Sequence, residues 1–294
     1  MCGAAGLRPA SLALRFVAAG DRTRLHVDKQ QPPWKVIRAF EQTPAHKNGA
    51  AMVHLHNVSG GVLAGDNLCL DVEVGRGASA QITTTGATRL YRHREDSADS
   101  SQHTTISIGE GALLEYVPDA VIPYAGSRHR QRTEILLGAG STLFWWEILA
   151  PGRQAMGETF AFDRLRLEMQ IRTAERPLLI ENYLLEPRAR RLESAARLGK
   201  YTHMATFYAI QTGRSPSVWR ELEDLLNEFV GTKMSDGVPR SSSIWGASAL
   251  AADGVIVRGL SLTARDVPAT LAGMWSIARR FLTGEDAVPP RKIR

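Results

Sequence analysis

Three copies of one short pattern constrain this chain most: a strand-forming run, then Gly-x-Gly-Ala/Ser, then another strand-forming run. They are Val72-Glu73-Val74 before Gly75-Arg76-Gly77-Ala78, Ile106-Ser107-Ile108 before Gly109-Glu110-Gly111-Ala112, and Ile135-Leu136-Leu137 before Gly138-Ala139-Gly140-Ser141. Glycine reaches the positive φ that a tight strand reversal requires, so paired glycines at a strand end read as a turn. Recurrence at about thirty-residue intervals predicts stacked β units over one shared core.

Period-2 patterning supports that reading. Leu68, Leu70, Val72 and Val74 alternate with Cys69, Asp71 and Glu73, and Leu165, Leu167, Met169 and Ile171 alternate with polar neighbours. Such strands have one face on a core and one in water. Residues 143–149 differ. Leu143, Trp145 and Leu149 fall on one face, Phe144, Trp146 and Ile148 on the other. A strand apolar on both faces is covered on both and lies centrally.

Helical spacing comes late. Ser215-Pro216 reads as a helix start, followed by a stripe of Val218, Trp219, Leu222, Leu225, Leu226 and Phe229, with Gly231 as its stop. A second helix is predicted over residues 266–282, on Val267, Leu271, Met274, Trp275, Ala278 and Phe281, with Gly284 beyond. Residues 247–260 read as a hairpin turning at Asp253-Gly254. The basic segment 188–200 fits either a short helix or a loop. No Pro/Gly/Ser-rich linker divides the chain, so one domain is expected over residues 1–294, with 1–20 as a mobile extension.

Composition excludes several classes. The net charge of +6 is modest and its arginines are dispersed, so no nucleic-acid footprint is expected. Cys2 and Cys69 make neither a disulfide framework nor a Cys-x-x-Cys metal clip. No apolar run approaches the ~18–20 residues needed to cross a bilayer. Residues 1–8 lack a basic-then-apolar leader, so the cytoplasm is the expected compartment and no membrane partner is expected.

Chemistry-bearing residues are few. Gly60-Gly61-Val62-Leu63-Ala64-Gly65-Asp66 lacks the Gly-Lys-Ser/Thr and the following helix of a phosphate loop. It reads as a strand-to-strand connection with Asp66 either bonding loop amides or acting as a functional carboxylate. His54 and His56 share a strand face, as half-exposed polar positions or as an imidazole pair for nickel, copper or zinc. Glu147 lies in the most apolar strand, and a buried carboxylate needs a partner or stays protonated. Either Arg153 pairs with it or it faces an internal water-filled passage, and Glu158 presents the same choice. No nucleophile elbow or Ser/His/Asp pattern occurs. The chain therefore reads as a β-rich scaffold without catalytic machinery.

Four segments, in order, resemble the UreD (UreH) family of urease accessory proteins. They are Asn57-Val58-Ser59-Gly60-Gly61-Val62-Leu63-Ala64-Gly65-Asp66, Thr83-Thr84-Thr85-Gly86-Ala87-Thr88-Arg89-Leu90-Tyr91-Arg92, Pro151-Gly152-Arg153-Gln154-Ala155-Met156-Gly157-Glu158, and Pro289-Pro290-Arg291-Lys292-Ile293. The chain departs from the family at Val58-Ser59, where a Pro pair is usual. The resemblance implies a mainly β fold, a β-helix-like stack of strands with two α-helices near the C-terminal third. It also implies a non-enzymatic maturation role. Its implied partners are a UreF-type protein, through it a UreG-type GTPase, and urease apoprotein, with an internal path for nickel. No tightly bound cofactor is implied, only transient nickel(II). Asp66, Glu147 and Glu158, with His54 or His56, are the residues expected to line that path. Two rival readings are a β-helix enzyme acting on polysaccharide and an adaptor that handles no metal.

Overall fold

The computed structural model describes residues 10–42, 49–233 and 242–290. The expectations for residues 1–9, Cys2 and Arg291-Lys292-Ile293 lie outside them. The described residues form eighteen strands and two α-helices. The first nine strands are β1 (Ala10–Ala19), β2 (Arg22–Gln30), β3 (Trp34–Lys35), β4 (Ala39–Gln42), β5 (Ala50–Asn57), β6 (Asn67–Val74), β7 (Ser79–Thr84), β8 (Thr88–Leu90) and β9 (Ser100–Ile108). Next come β10 (Leu113–Tyr116), β11 (Val121–Pro123), β12 (Arg128–Leu137), β13 (Thr142–Leu149), β14 (Arg164–Arg172), β15 (Pro177–Leu185) and β16 (His203–Gln211). Helix α1 (Pro216–Lys233), β17 (Ser243–Ala249), β18 (Gly254–Ser261) and α2 (Asp266–Thr283) complete the order.

Two sheets result. One has seven strands in the order β15-β14-β12-β9-β6-β1-β2; the other has eleven, with the central path β17-β18-β16-β13-β10-β7-β5-β3. The Gly-x-Gly turns explain this division. Each links a strand of the first sheet to one of the second: β6 to β7, β9 to β10, β12 to β13. The reversal therefore crosses between sheets instead of closing a hairpin. Successive copies then pair in parallel, β6·β9·β12 on one side and β7·β10·β13 on the other.

The two glycines of each turn serve different needs. Gly77, Gly111 and Gly140 have φ of +65°, +61° and +63°, which disfavours side chains whatever the space. Gly109 and Gly138 instead lie against the preceding turn. A Cβ on Gly109 would sit 2.7 Å from the Arg76 nitrogen, and one on Gly138 would sit 2.9 Å from the Glu110 nitrogen. We expect Gly109→Ala to cost about 1–3 kcal/mol, because the obstacle is backbone that cannot rotate away. Gly86→Ala, where a Cβ meets nothing within 4 Å, is the neutral control in denaturant unfolding. Equal midpoints for the two variants would refute the stacking argument.

β13 divides two cores, as its two-faced pattern requires. Leu143, Trp145 and Leu149 join the core between the sheets, with Leu12, Phe16, Leu70 and Ile106. Phe144, Trp146 and Ile148 join a second core beneath the helices, with Trp219, Leu222, Leu271 and Trp275. The sheets thus hold one core between them and carry both helices on the outer face of the larger one.

Three expectations are corrected, and one alternative is decided. Ala10–Ala19 is not part of a mobile extension, because β1 pairs with both β2 and β6 and buries Leu12 and Phe16 completely. Gly231 does not stop α1, which continues to Lys233. Leu225 is 37 % exposed and Val230 lies on the buried face in its stead. Residues 188–200 form a strap of turns, tied to the inner core by Leu192 and Leu198. Gly284 does cap α2, with φ +74° and its N–H donated to the Arg280 carbonyl. No helix of the described residues is long and apolar enough to cross a membrane.

Candidate functional site

Glu147 is the one sequence candidate whose side chain faces a cavity between the sheets. Period-2 alternation puts it on the Trp145 and Leu149 face of β13, where it is half-buried. Its cavity, of about 90 Å³, is lined by Thr84, Thr88, Gln102, Thr104, Gln131 and Thr133, with Asp119 and Tyr116, and by apolar side chains that include Val121, Ile148, Leu149 and Leu167. Gln131 Nε2 donates to Glu147 Oε1 across 3.4 Å. Burial, and then the Glu181 carboxylate, push the Glu147 carboxyl up to about 7.

Arg153 is not the partner of Glu147. Its Nε donates to Glu158 Oε2 at 2.9 Å, its Nη2 binds Glu158 Oε1, and its guanidinium lies 4.2 Å from the Tyr124 ring centre. Glu158 also accepts the Ala125 N–H, and the Arg153 guanidinium foremost holds its carboxyl below the usual range. Asp66 takes the loop-amide option: Oδ2 accepts the Leu63 N–H at 2.8 Å. His54 and His56 do share a face of β5. His54 is buried, edge-on to Phe40 with ring centres 5.8 Å apart, whereas His56 is half-buried and its pKa is lowered by burial. Glu147 alone of the five lines a cavity of the row between the sheets. Among the described residues, no three His, Cys, Asp or Glu side chains converge to hold a metal ion.

Further cavities adjoin the first. One of about 230 Å³ shares Thr84, Thr88, Gln102 and Tyr116 with it and reaches Asn57 at the end of β5, Gly60 and Arg89 of β8. A small one shares Gln131, Glu147 and Tyr183 and adds Glu181. A groove of about 460 Å³ shares Tyr183, Met204, Ala205 and Thr206. Glu181 is 8 % exposed, accepts the Tyr208 hydroxyl at 2.7 Å and is paired with Arg258. Sequence reasoning missed Glu181 and Asp119. In β15, Leu179, Glu181 and Tyr183 point inward while Ile180 and Leu184 point out. Both sets contain apolar residues, so alternation could not orient the strand. Trp145 and Trp146 are buried, Trp145 stacked on Tyr116 at 3.9 Å, so neither offers an exposed platform for a sugar ring.

A family model described as UreD urease accessory protein matches residues 8–294. The chain belongs to the UreD family of urease accessory proteins. A urease accessory protein UreD of Herpetosiphon aurantiacus is 41 % identical over 282 residues, covering 96 % of this chain and 95 % of its own length. Those of Dechloromonas aromatica and Cenarchaeum symbiosum are 33 % and 30 % identical, covering 96 % and 94 % of this chain and 93 % of each relative. Membership of the UreD family gives the chain a role in urease maturation.

Three of the four UreD-like segments interlock. A Cβ on Gly61 would meet the Arg89 carbonyl and the Tyr91 ring at 2.6 Å each, Arg89 Nη1 donates to the Gly60 carbonyl, and Val62 bridges Leu90. Tyr91 meets Tyr124 edge-on at 5.2 Å, and Tyr124 carries Arg153. Residues remote in sequence thus build one end of the body.

Proposed function

We propose that this UreD family member is a non-enzymatic scaffold of urease maturation. It binds a UreF-type partner, through it a UreG-type GTPase, and urease apoprotein, in the cytoplasm. Nickel(II) is the cargo, passing through the cavity row between the sheets on its way to urease. The observation that carries this reading is the polar part of the lining, threonines and glutamines with Glu147, Asp119 and Glu181 as the acidic groups, set among apolar walls that include Val121, Leu149 and Leu167. A conduit needs exchangeable ligands that bind a cation weakly enough to release it. Nickel(II) accepts carboxylate and imidazole donors, so Glu147 serves as a way-station, with His54, His56, Asp66 and Glu158 off the row.

The test is Glu147→Gln, which keeps the shape and removes the charge. Nickel-dependent urease activation in co-expressing cells should fall about tenfold, the effect of removing roughly 1.4 kcal/mol of ligand stabilisation. Urease nickel content should fall with it while the complex still co-purifies. Full activation would sink the passage and leave the adaptor reading. Stability provides a second readout. With its carboxyl raised to about 7, folded Glu147 keeps a proton that the unfolded chain has released. Its contribution is complete below about pH 4.5 and is lost as the pH rises through about 7. Glu147→Gln should therefore lose less stability than the parent between about pH 5 and about pH 8.

A further inference from the structure

The groove of about 460 Å³ is not explained by cation transit. It lies where β17 and β18 meet the strap of residues 188–200, and Leu198, Met204, Ile244, Trp245 and Leu260 make its walls apolar. Ile244 is 51 % exposed within it. The charged residues among its walls are Arg197 and Arg258; Glu181, the acid that pairs with Arg258, is buried behind the wall and does not line the groove. The strap adds Arg188, Arg190, Arg191 and Lys200 against Glu193 alone. The volume falls in the ~300–1,000 Å³ range of cavities that seat a specific ligand.

Arg258 spans the floor between groove and interior. Its side chain is 58 % exposed, while that of Glu181, to which Nη2 donates, is 6 % exposed. A guanidinium has five N–H donors in a planar fork, so the exposed edge can take a second carboxylate. An apolar trough with arginines and no acid selects an apolar segment bearing a carboxylate and repels a basic one.

We infer that this groove docks an extended segment of a partner protein in which an acidic residue neighbours an apolar one. The apolar side chain packs on Ile244 and Leu260, and the carboxylate pairs with Arg258 and Arg197. Docking there sets the partner beside the Arg258–Glu181 pair, one residue from the cavity row, and so joins assembly to the passage. The inference rests on the reading that this chain works by binding proteins. It does not need nickel to pass, so failure of the Glu147 test leaves it standing.

The experiment places the photo-crosslinker p-benzoylphenylalanine at Ile244 of the full chain, co-expressed with urease and its accessory proteins. The crosslinked segment is read by mass spectrometry. Arg197→Glu and, separately, Arg258→Gln should each lower the crosslink yield about tenfold, with unfolding midpoints recorded as the control for folding. Replacing the partner's acidic residue by Arg should restore the yield in the Arg197→Glu background. A crosslink to a segment without an acidic residue, to a second copy of this chain, or to nothing would overturn the inference. So would undiminished crosslinking in both folded arginine variants.

Discussion

Thr133→Trp should cut nickel-dependent activation of urease tenfold or more, since about 1.4 kcal/mol added to a barrier is a factor of ten. Thr133 is 2 % exposed and lines the Glu147 cavity from β12, with Thr104 beside it in register on β9. The cavity measures about 90 Å³, and an indole placed there occupies the space that the proposed passage assigns to a hydrated or partly hydrated cation. Overpacking costs about 1–3 kcal/mol, which a chain of this size tolerates at moderate temperature. Thr105→Trp is the control, because Thr105 is the exposed neighbour on the opposite face of β9. It adds the same bulk outside the passage and should leave activation unchanged. Thr133→Val separates blockage from chemistry: it keeps the volume and removes one oxygen ligand, so its effect should be smaller than that of the indole. Normal urease nickel content with Thr133→Trp, in a complex that assembles, would remove the cavity row from the mechanism.

Local pattern made most of the scaffold legible before the fold was known. The two-faced run of residues 143–149 correctly placed β13 between two cores, and the Gly-x-Gly repeats correctly announced stacked units. What pattern could not supply was the identity of neighbours. Gly109 looks like a turn glycine in sequence, yet it is needed because the backbone of the preceding turn lies against it. In sequence Arg153 can pair with Glu147, six residues away, or with Glu158, five residues away, and it holds Glu158. Both distances fit the chain, and only the direction each side chain takes decides between them. Glu181 was invisible for a related reason. Its inward orientation follows from β15 pairing with β14, and its partner Arg258 comes from β18.

Breaking the Glu115–Arg279 pair should destabilise the protein by about 3–5 kcal/mol, through the charge left uncompensated in the interior. Both residues are fully buried. Glu115 Oε1 accepts from Arg279 Nε at 2.7 Å and from Trp275 Nε1 at 3.1 Å, while Oε2 accepts from Gln81 Nε2 at 2.9 Å. Burial pushes the Glu115 carboxyl up, and Arg279 leads the groups pulling it down. The network reaches the segment beyond α2: Gln81 donates to the Val288 carbonyl, and Arg279 Nη1 to the Asp286 carbonyl at 2.7 Å. It fixes α2 on the larger sheet and, through the same side chains, the segment leading into Pro289-Pro290. Arg279→Leu should therefore both lower the unfolding midpoint and expose residues 284–290 to limited proteolysis. Glu115→Leu should do the same by stranding the guanidinium. The double variant should cost less than the sum of the two, because replacing both by apolar groups leaves no fully buried charge unmatched; Glu285, which Arg279 Nη2 also meets at 3.2 Å, is partly exposed. Additive losses, or single losses under about 1 kcal/mol, would mean that packing of Trp275 and Leu271 alone holds the helix in place.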